Sequence, residues 1–473
     1  MPSGWSVWEK SQALLPLGGR NKNKKTKQKF YSNSSRPSHT NAIIIIPMLK
    51  LSDLNLSLET DKLKNGIKIV NFRRSGAPLA IRCLFFAGSR FDDIEGTSHF
   101  LEHLLVAGIK KYPSKDKLAS YIENNGGILG AVTGMDNLTI NLSLGDPQDI
   151  STASEVLKEV IFSPIFEDKV IENERQVIYH ELSDRKSNPS KAIGIVNRQL
   201  FYQNTVLGRS TLGTEASIKN IKKTDILSYY QNNILSSQMV LVISGDISIE
   251  VIKNEFEFLE SIKFITKIPQ KDLEINQQKR ILIEKFNQND QITFSYAFRT
   301  GNISDMSNPD LSIILQALAV TRSSRLITRL RYENGLIYGI NSWHEQLFDA
   351  GTWGFQTATS KSKFQKVINI IEKEFNSLTQ DGLSTSELDF VKNKIIKSGR
   401  LHLQTSESIV NFHAYKQFLE NNQGPWTVEN YTEELEEVDC NSIKTTATKY
   451  LNPAKSYLAI CGDIDKKEIS LAE

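Results

Sequence analysis

Met239-Val-Leu-Val-Ile-Ser-Gly-Asp-Ile247 is an apolar run closed by Gly-Asp, and the chain repeats it 217 residues later as Tyr457-Leu-Ala-Ile-Cys-Gly-Asp-Ile464. A helix-like stretch precedes each copy, Thr224 to Asn233 in one case and Asn441 to Leu451 in the other. Solenoid repeats recur about every 20–50 residues. A single repeat at this much longer interval therefore predicts a duplicated domain.

Strand-like sequence opens each half of the chain. Runs rich in β-branched and aromatic residues, separated by turn residues, are typical of paired strands. The four runs are Gly66 to Phe72, Ala80 to Phe86, Arg280 to Phe286 and Gln291 to Phe298. The two halves therefore match at their beginnings as well as at their ends.

The boundary between the halves falls in a polar segment, residues 264–279, which contains Pro269 and three Gln. Such a composition is typical of a linker between compact domains. We therefore predict one domain over residues 48–263 and a homologous domain over residues 280–473, preceded by a basic N-terminal segment over residues 1–47.

Charged, helix-like stretches follow the strands in each half. They are Thr152 to Phe162, Phe166 to Asp184, Lys361 to Leu378 and Ser384 to Leu401. Strands and helices do not alternate strictly, as they would in a parallel βαβ fold. The pattern predicts an α+β protein with two homologous domains, each a largely antiparallel sheet covered by helices on one face.

The composition is that of a globular protein, with 39% hydrophobic residues and a formal net charge of +3. The charge is uneven, because residues 1–47 carry eight Lys or Arg and one acid, which leaves 49 bases and 53 acids elsewhere. A mildly acidic body argues against nucleic-acid binding. No apolar run approaches the roughly 18–20 residues that span a bilayer, so we expect no membrane partner either.

Residues 1–47 have three explanations: a disordered basic tail, an organelle-targeting segment, or translated sequence upstream of a true start at Met48. The segment is rich in Lys rather than Arg and lacks an amphipathic period, which favours the first and third explanations. The three cysteines have no CxxC spacing and indicate neither a disulfide framework nor a thiolate zinc site. We expect a cytoplasmic protein, with an organelle matrix as the alternative if the segment is a targeting signal.

The motif His99-Phe-Leu-Glu-His103 places two imidazoles about one helical turn apart, so that one metal ion can bridge them. Glu102 lies on the same side of the predicted helix, and the apolar residues between and after the histidines would hold that helix against a core. The alternative is a histidine pair on the surface or at the edge of the core. A catalytic zinc site commonly takes three protein ligands, so a third is still required.

The segment Val170 to Glu181 offers the third ligand. Val170, Glu174, Val177 and Glu181 recur at helical spacing beside an apolar stripe, which predicts two carboxylates on a buried-facing side. Buried acids need a partner, and a metal ion with its histidines would supply one. The alternative is two acids at the margin of a solvated helix face. His180 lies about 100° away from the stripe, so we expect it to be structural or exposed.

The HxxEH string followed by Glu174-Arg-Gln-Val-Ile-Tyr-His-Glu181 resembles the pitrilysin family of zinc metallopeptidases, in particular its mitochondrial-processing-peptidase-like branch. The resemblance implies one zinc ion per chain, held by His99, His103 and Glu181. It also implies that Glu102 acts as the base and that Glu174 supports the site.

In the second half, the stretch from Ser324 to Tyr338 looks like the segment that carries the family's Arg and Tyr pair. The resemblance implies that Arg331 and Tyr338 hold substrate and help to stabilise the developing oxyanion. An ordinary structural hydrogen bond between them is the alternative.

The second half has lost the metal ligands. When Gly301 is aligned with Gly88, Ser312, Leu315 and Gln316 stand where the first half has the two histidines and the glutamate. The stretch Phe390 to Leu401, roughly equivalent to the Glu181 helix, contains no carboxylate either. We therefore predict a catalytic domain over residues 48–263 and an inactive homologous domain over residues 280–473.

One segment departs from the family pattern. The family usually has Asn-Ala-x-Thr on its substrate-binding edge strand, whereas this chain has Gly130-Ala-Val-Thr133. The resemblance still implies that Ala131 and Thr133 contact the substrate, because pairing of an extended peptide with a strand edge needs only backbone groups. The side-chain amide is missing.

The sequence thus predicts a zinc-dependent endopeptidase acting on peptides or unfolded polypeptide segments by metal-activated water. The alternative, from another class of function, is a non-catalytic structural or partner subunit of a related heterodimeric peptidase complex, since the family also builds inactive subunits. A metal-dependent esterase or non-peptide hydrolase is a third option. The resemblance further implies a homodimer or a heterodimer with a related chain.

Overall fold

The computed structural model describes residues 48–264, 280–286, 290–418 and 424–471. The predicted N-terminal segment, and all but the first residue of the predicted linker, lie outside the described residues. A six-stranded sheet is built from β1 Ser57–Lys62, β2 Lys68–Arg73, β3 Leu79–Phe85, β4 Ile128–Thr133, β5 Leu138–Leu144 and β6 Met239–Gly245. A five-stranded sheet is built from β7 Ile281–Glu284, β8 Gln291–Thr300, β9 Ile340–Gln346, β10 Gly351–Ser360 and β11 Tyr457–Cys461.

Helices surround both sheets. The first half contributes α1 Thr97–Leu105, α2 Lys115–Asn124, α3 Ile150–Phe162, α4 Asp168–Ser187, α5 Pro189–Tyr202, α6 Glu215–Asn220, α7 Lys223–Tyr229 and α8 Ile249–Glu255. The second half contributes α9 Asn308–Leu315, α10 Phe364–Asp381, α11 Thr385–His402, α12 Ser406–His413, α13 Val428–Glu436 and α14 Cys440–Tyr450. None of the helices in the described ranges combines the length and the apolar composition that a membrane span requires.

The predicted α+β class and the antiparallel character of the sheets are confirmed. The strand orders are β1-β2-β6-β3-β5-β4 and β7-β11-β8-β10-β9, and each sheet contains one parallel pair, β2 with β6 and β7 with β11. The repeated Gly-Asp runs form β6 and β11. Strand β6 lies between β2 and β3, and β11 lies between β7 and β8, so the two copies occupy equivalent places.

The prediction that helices cover each sheet on one face is wrong. Strands β3 and β6 are buried along their whole length, and alternate residues enter different cores. Ile81 and Ile243 pack with the helices of the first half, whereas Leu84 and Val242 pack against α12 of the second half. The sequences of both strands are mostly apolar, with Arg82 in β3 and Ser244 in β6 as exceptions, and this reflects their burial on both faces.

The second sheet is covered in the same way, because α5 of the first half packs on its strands β8 and β11. Val196 and Phe201 of α5 share a core with Ala459 and Cys461 of β11, while Leu458 on the opposite face packs with the second half's own helices. Each half therefore supplies one helix to the other half's sheet. This joins the two sheets through apolar contacts.

A buried ionic cluster also joins the halves. Arg90, just before α1, donates two hydrogen bonds to Asp349 of the second half, at 2.8 and 2.9 Å. It also pairs with Asp136, which follows β4 and accepts hydrogen bonds from the backbone N–H of Phe348, at 3.0 Å, and from the Tyr415 hydroxyl. Burial raises the pKa of Asp136, although Arg90 and Tyr415 act in the opposite direction. The cluster therefore fixes the segment before α1 and the segment after β4 to the second half.

Candidate metal centre

Helix α1 begins at a tightly constrained turn. Gly96, just before the helix, has φ of 93°, and a Cβ there would lie 2.8–3.0 Å from atoms of Ile218, Leu212 and Gly213, so only glycine fits. The Asp92 carboxylate accepts hydrogen bonds from the N–H groups of Gly96, at 2.9 Å, and Ser98, at 3.0 Å. These bonds satisfy donors that the helix itself leaves free.

The two sides of α1 have different tasks. Its apolar side is fully buried in the hydrophobic core of the first half and consists of Phe100, Leu101, Leu104 and Leu105. Its polar side carries His99, Glu102 and His103, because residues three and four positions apart share a helix face. Apolar packing therefore fixes the direction in which both imidazoles point.

His99, His103 and Glu181 form one cluster, with one ligand atom from each residue within 4.8 Å of the others. Glu181 lies on α4, which packs against α1. Its Oε2 atom is 3.5 Å from His99 Nε2 and 3.8 Å from His103 Nε2. Burial lowers the pKa of His99 well below its usual value, and the neighbouring His103 acts in the same direction. The neutral imidazole is the form that binds metal.

Glu174 holds the other side of the His103 ring. Its Oε2 atom is 2.9 Å from His103 Nδ1, and Lys115 lies 3.5 Å from its Oε1 atom. Burial works against ionisation of Glu174, but the His103 hydrogen bond and Lys115 together lower its pKa. A carboxylate at the second ring nitrogen is the arrangement that commonly orients a metal-binding histidine.

The donor set fits a zinc ion. Two imidazole nitrogens and one carboxylate oxygen are ligand types that zinc prefers, and three protein ligands leave a coordination position open for catalysis. The Nε2 atoms of both histidines face Glu181, and His103 already has its Nδ1 occupied by Glu174. In the described part of the chain, this is the one group of His, Cys, Asp and Glu side chains close enough to hold a metal ion.

Glu102 stands beside the cluster without joining it. Its Oε2 atom accepts a 2.7 Å hydrogen bond from the backbone N–H of Thr133, at the end of β4. Burial raises the pKa of Glu102, although the Thr133 hydrogen bonds oppose the shift. A partly buried carboxylate of raised pKa that is held in place by Thr133 is suited to accept a proton from water.

Strand β4 is an edge strand that runs beside α1. Ala131 is half-buried on this strand, and Thr133 is buried where the strand meets Glu102. A Cβ atom added to Gly130 would have no atom within 4 Å, so crowding does not require glycine there. Because β4 ends the sheet, its outer edge can pair with an extended chain, although the Thr133 N–H is already bonded to Glu102.

Arg331 and Tyr338 lie together but apart from the cluster. The Arg331 guanidinium carbon is 5.0 Å from the centre of the Tyr338 ring, and both side chains are exposed, Tyr338 to 85%. Among the described residues, no hydrogen bond, ion pair or ring contact joins either of them to His99, His103 or Glu181. The structure thus brings the pair to each other and leaves both available to a ligand.

The counterpart of the cluster in the second half carries no metal-ligand set. Ser312 donates a 3.0 Å hydrogen bond to the backbone carbonyl of Asn308 within its own helix. Lys394 of α11 donates to Gln316 Oε1, and under the alignment of Gly301 with Gly88 these two residues correspond to Glu181 and His103. An ammonium group therefore occupies the place of the acidic ligand.

The exposure of Val177 and the contact of Arg185 with Glu181, both on α4, differ from the sequence-based prediction or go beyond it. Val177, predicted to lie on a buried-facing stripe, is 44% exposed, because the buried seam of α4 consists of Ile171, Glu174, Ile178 and Leu182. His180 is exposed, as expected. Arg185 is not among the predicted site residues, but its Nη2 atom lies 3.6 Å from Glu181 Oε1. Its position one turn after Glu181 on the same helix was the available signal.

Two family models match the chain. Residues 76–215 match the model described as Insulinase (Peptidase family M16), and residues 220–395 match the model described as Peptidase M16 inactive domain. The first match contains the whole cluster together with Glu102 and Glu174.

Relatives and solved structures agree with these matches. Mitochondrial-processing peptidase subunit beta of Mus musculus is 23% identical over 429 residues, covering 85% of this chain and 84% of the relative. The uncharacterized zinc protease YmxG of Bacillus subtilis is 24% identical over 348 residues, covering 73% of this chain and 84% of the relative. A protease from Helicobacter pylori has the same fold, with a TM-score of 0.76 at 17% identity, covering 86% of this chain and 99% of that structure. A peptidase M16 inactive domain from Pseudomonas fluorescens has a TM-score of 0.75 at 18% identity, covering 87% of this chain and 98% of that structure.

Proposed function

Because this chain belongs to peptidase family M16, we propose that it is a zinc-dependent endopeptidase that hydrolyses peptides or unfolded polypeptide segments. The observation that carries the proposal is the convergence of His99, His103 and Glu181 beside the partly buried carboxylate of Glu102. A non-catalytic subunit would have no need to keep all four groups in reach of one another. Their joint presence favours the enzyme over the structural subunit.

The residues of the site have distinct tasks in this proposal. His99, His103 and Glu181 hold the ion, and Glu174 orients His103 through its Nδ1 atom. A zinc ion held there would act as a Lewis acid and would lower the pKa of water to near neutrality. Glu102 takes a proton from the attacking water and passes it to the leaving amine.

The substrate binds as an extended strand in this proposal. Its backbone pairs with β4 at Ala131 and Thr133, which brings the scissile peptide next to Glu102. Arg331 and Tyr338, both exposed, contact the bound peptide and donate hydrogen bonds to its developing negative oxygen. This mode of binding favours unfolded segments, because a folded substrate has no free strand to add.

The proposed assembly is a dimer, formed either by two copies or with a related chain. One relative is named as a subunit, the mitochondrial-processing peptidase subunit beta, which supports pairing with a second chain. Measurement of the molar mass in solution separates a dimer from a monomer. A fully active monomer would contradict the proposed assembly.

Removal of the metal tests the function directly. We expect about one zinc per chain by elemental analysis, cleavage of a quenched peptide library, loss of cleavage with a chelator and its return on addition of zinc. His103→Ala should lose the bound zinc and the activity, because one of three ligands is gone. His180→Ala is the matched control, since His180 is exposed on α4 and stands outside the cluster.

Each outcome of that experiment has a definite meaning. Full zinc occupancy in His103→Ala would refute the proposed ligand set. Zinc without cleavage of any peptide, in the presence of a candidate partner chain, would move the non-catalytic subunit to first place. Chelator-insensitive cleavage would contradict metal catalysis.

Gly130→Asn tests the substrate strand. The added Cβ atom would have no atom within 4 Å, so we expect no loss of stability. One additional neutral hydrogen bond to the peptide contributes about 0.5–1.5 kcal/mol, which corresponds to a KM lower by about twofold to tenfold. Gly130→Ala is the control, because it adds the Cβ atom without the amide. Equal KM values for the two variants would show that this strand position does not contact the substrate.

A further inference from the structure

The two oxygens of Glu181 face different groups. The Oε2 atom faces both histidines, at 3.5 and 3.8 Å. The Oε1 atom faces Arg185 instead, whose Nη2 atom is 3.6 Å away. The two positions are separated by one turn of α4, so the helix itself brings the guanidinium to the carboxylate.

Arg185 is held in a largely buried position. Its side chain is 13% exposed, and burial lowers its pKa, although Glu181 acts in the opposite direction. An arginine remains charged in proteins and has a planar set of donors that matches a carboxylate. A charged contact shielded from water is stronger than a surface pair, so this one can restrict the rotation of the Glu181 carboxylate.

The second half of the chain reaches this contact through a second arginine. Arg198 lies on α5, which packs against α4, and its like charge lowers the pKa of Arg185. Its own Nη2 atom lies 3.6 Å from Glu345 of β9. Glu345 also accepts a 3.0 Å hydrogen bond from Tyr202. Glu345 thus holds Arg198 toward the second sheet, while Arg185 is directed toward Glu181.

We propose that Arg185 is a positioning residue for the metal centre, which engages one oxygen of Glu181 so that the other is presented to the ion. The Arg198–Glu345 pair of the two halves keeps Arg185 in place. This inference rests on the proposed zinc site. It gives the inactive half a role in metal binding that is separate from any contact with substrate.

The zinc dissociation constant of the full chain, measured by competition with a coloured chelator, tests the inference. We expect Arg185→Gln to weaken zinc binding by about tenfold to a hundredfold, the usual effect of removing a group that orients a ligand. Lys186→Gln is the matched control, because it removes the same charge from the next residue of α4, where the lysine is 61% exposed and pairs only at the surface with Glu215. Its affinity for zinc should equal that of the wild type.

The direction of the change distinguishes positioning from simple repulsion. A positive group near the site opposes a dication, so loss of its charge alone would tighten zinc binding. Unchanged or tighter binding in Arg185→Gln would therefore overturn the proposal. Absence of zinc from the wild-type chain would instead overturn the proposed function, so the two failures are separable.

Glu345→Gln tests whether the Arg198–Glu345 pair contributes to zinc binding. This variant also tests the proposal if circular dichroism shows that Arg185→Gln does not fold. We expect weaker zinc binding than in the wild type, by a smaller factor than in Arg185→Gln, because Arg198 loses its anchor and crowds Arg185. Wild-type affinity in Glu345→Gln would overturn the contribution of the second half.

Discussion

Glu102→Gln is expected to abolish most peptide hydrolysis while the zinc content and the fold stay unchanged. The glutamine oxygen can still accept the 2.7 Å hydrogen bond from the Thr133 N–H, so the local geometry survives. The amide cannot take a proton from water. Loss of a general base costs about 10²–10⁴-fold in rate, so we expect kcat to fall by that factor in the quenched-peptide assay.

The comparison variant for this prediction is Glu123→Gln, because Glu123 is an exposed glutamate on α2 of the same domain. It should retain wild-type turnover and zinc. Turnover of Glu102→Gln within tenfold of the wild type would refute its role as the base. Loss of zinc from Glu102→Gln would show that the carboxylate is a metal ligand, contrary to the three-residue cluster.

Arg90→Met is expected to destabilise the whole protein strongly. The Arg90 side chain is 5% exposed and is shared by Asp136 and Asp349, whose side chains are 0% and 10% exposed. Without the guanidinium, two carboxylates stay buried with no counter-charge. Removal of one partner from a buried ion pair costs about 3–5 kcal/mol, so the urea midpoint of unfolding should fall markedly.

Two further variants separate the buried charge from the loss of packing. Arg329→Gln removes an arginine that is 53% exposed and pairs with Glu333 and Glu374, and it should cost about 1 kcal/mol or less for each pair. Arg90→Met combined with Asp136→Asn and Asp349→Asn removes all the charges together and should recover much of the lost stability. A midpoint for Arg90→Met equal to that of Arg329→Gln would show that the cluster does not stabilise the junction of the halves.

The local elements of this protein follow from its sequence. The predicted helix over Ser384 to Leu401 corresponds to α11 Thr385–His402, and the run Gln291 to Phe298 corresponds to β8 Gln291–Thr300. The histidine pair was also readable, because four residues are one turn of a helix whatever surrounds it. Glu181 needed more than the motif, and the helical stripe of α4 together with the family resemblance supplied it.

The arrangement of the two halves was decided only in three dimensions. Mostly apolar runs such as Met239–Gly245 indicate burial on both faces, but they do not reveal that the covering helix α12 comes from the other half. The same holds for the position of Val177, since a helical stripe can face a core or open solvent.

The charged contacts between the halves are likewise decided only by the tertiary structure. Arg90 and Asp349 are 259 residues apart, and Arg198 meets Glu345 across the same junction. The sequence by itself determined the helices, the strands and the histidine pair, because these depend on local spacing. It also indicated the duplication, through a run repeated 217 residues later, and Glu181, through the stripe of α4 and the family resemblance. Only the tertiary structure decided which half covers which sheet and which arginine stands behind Glu181, because periodicity records that a side chain is buried but not which distant residue buries it.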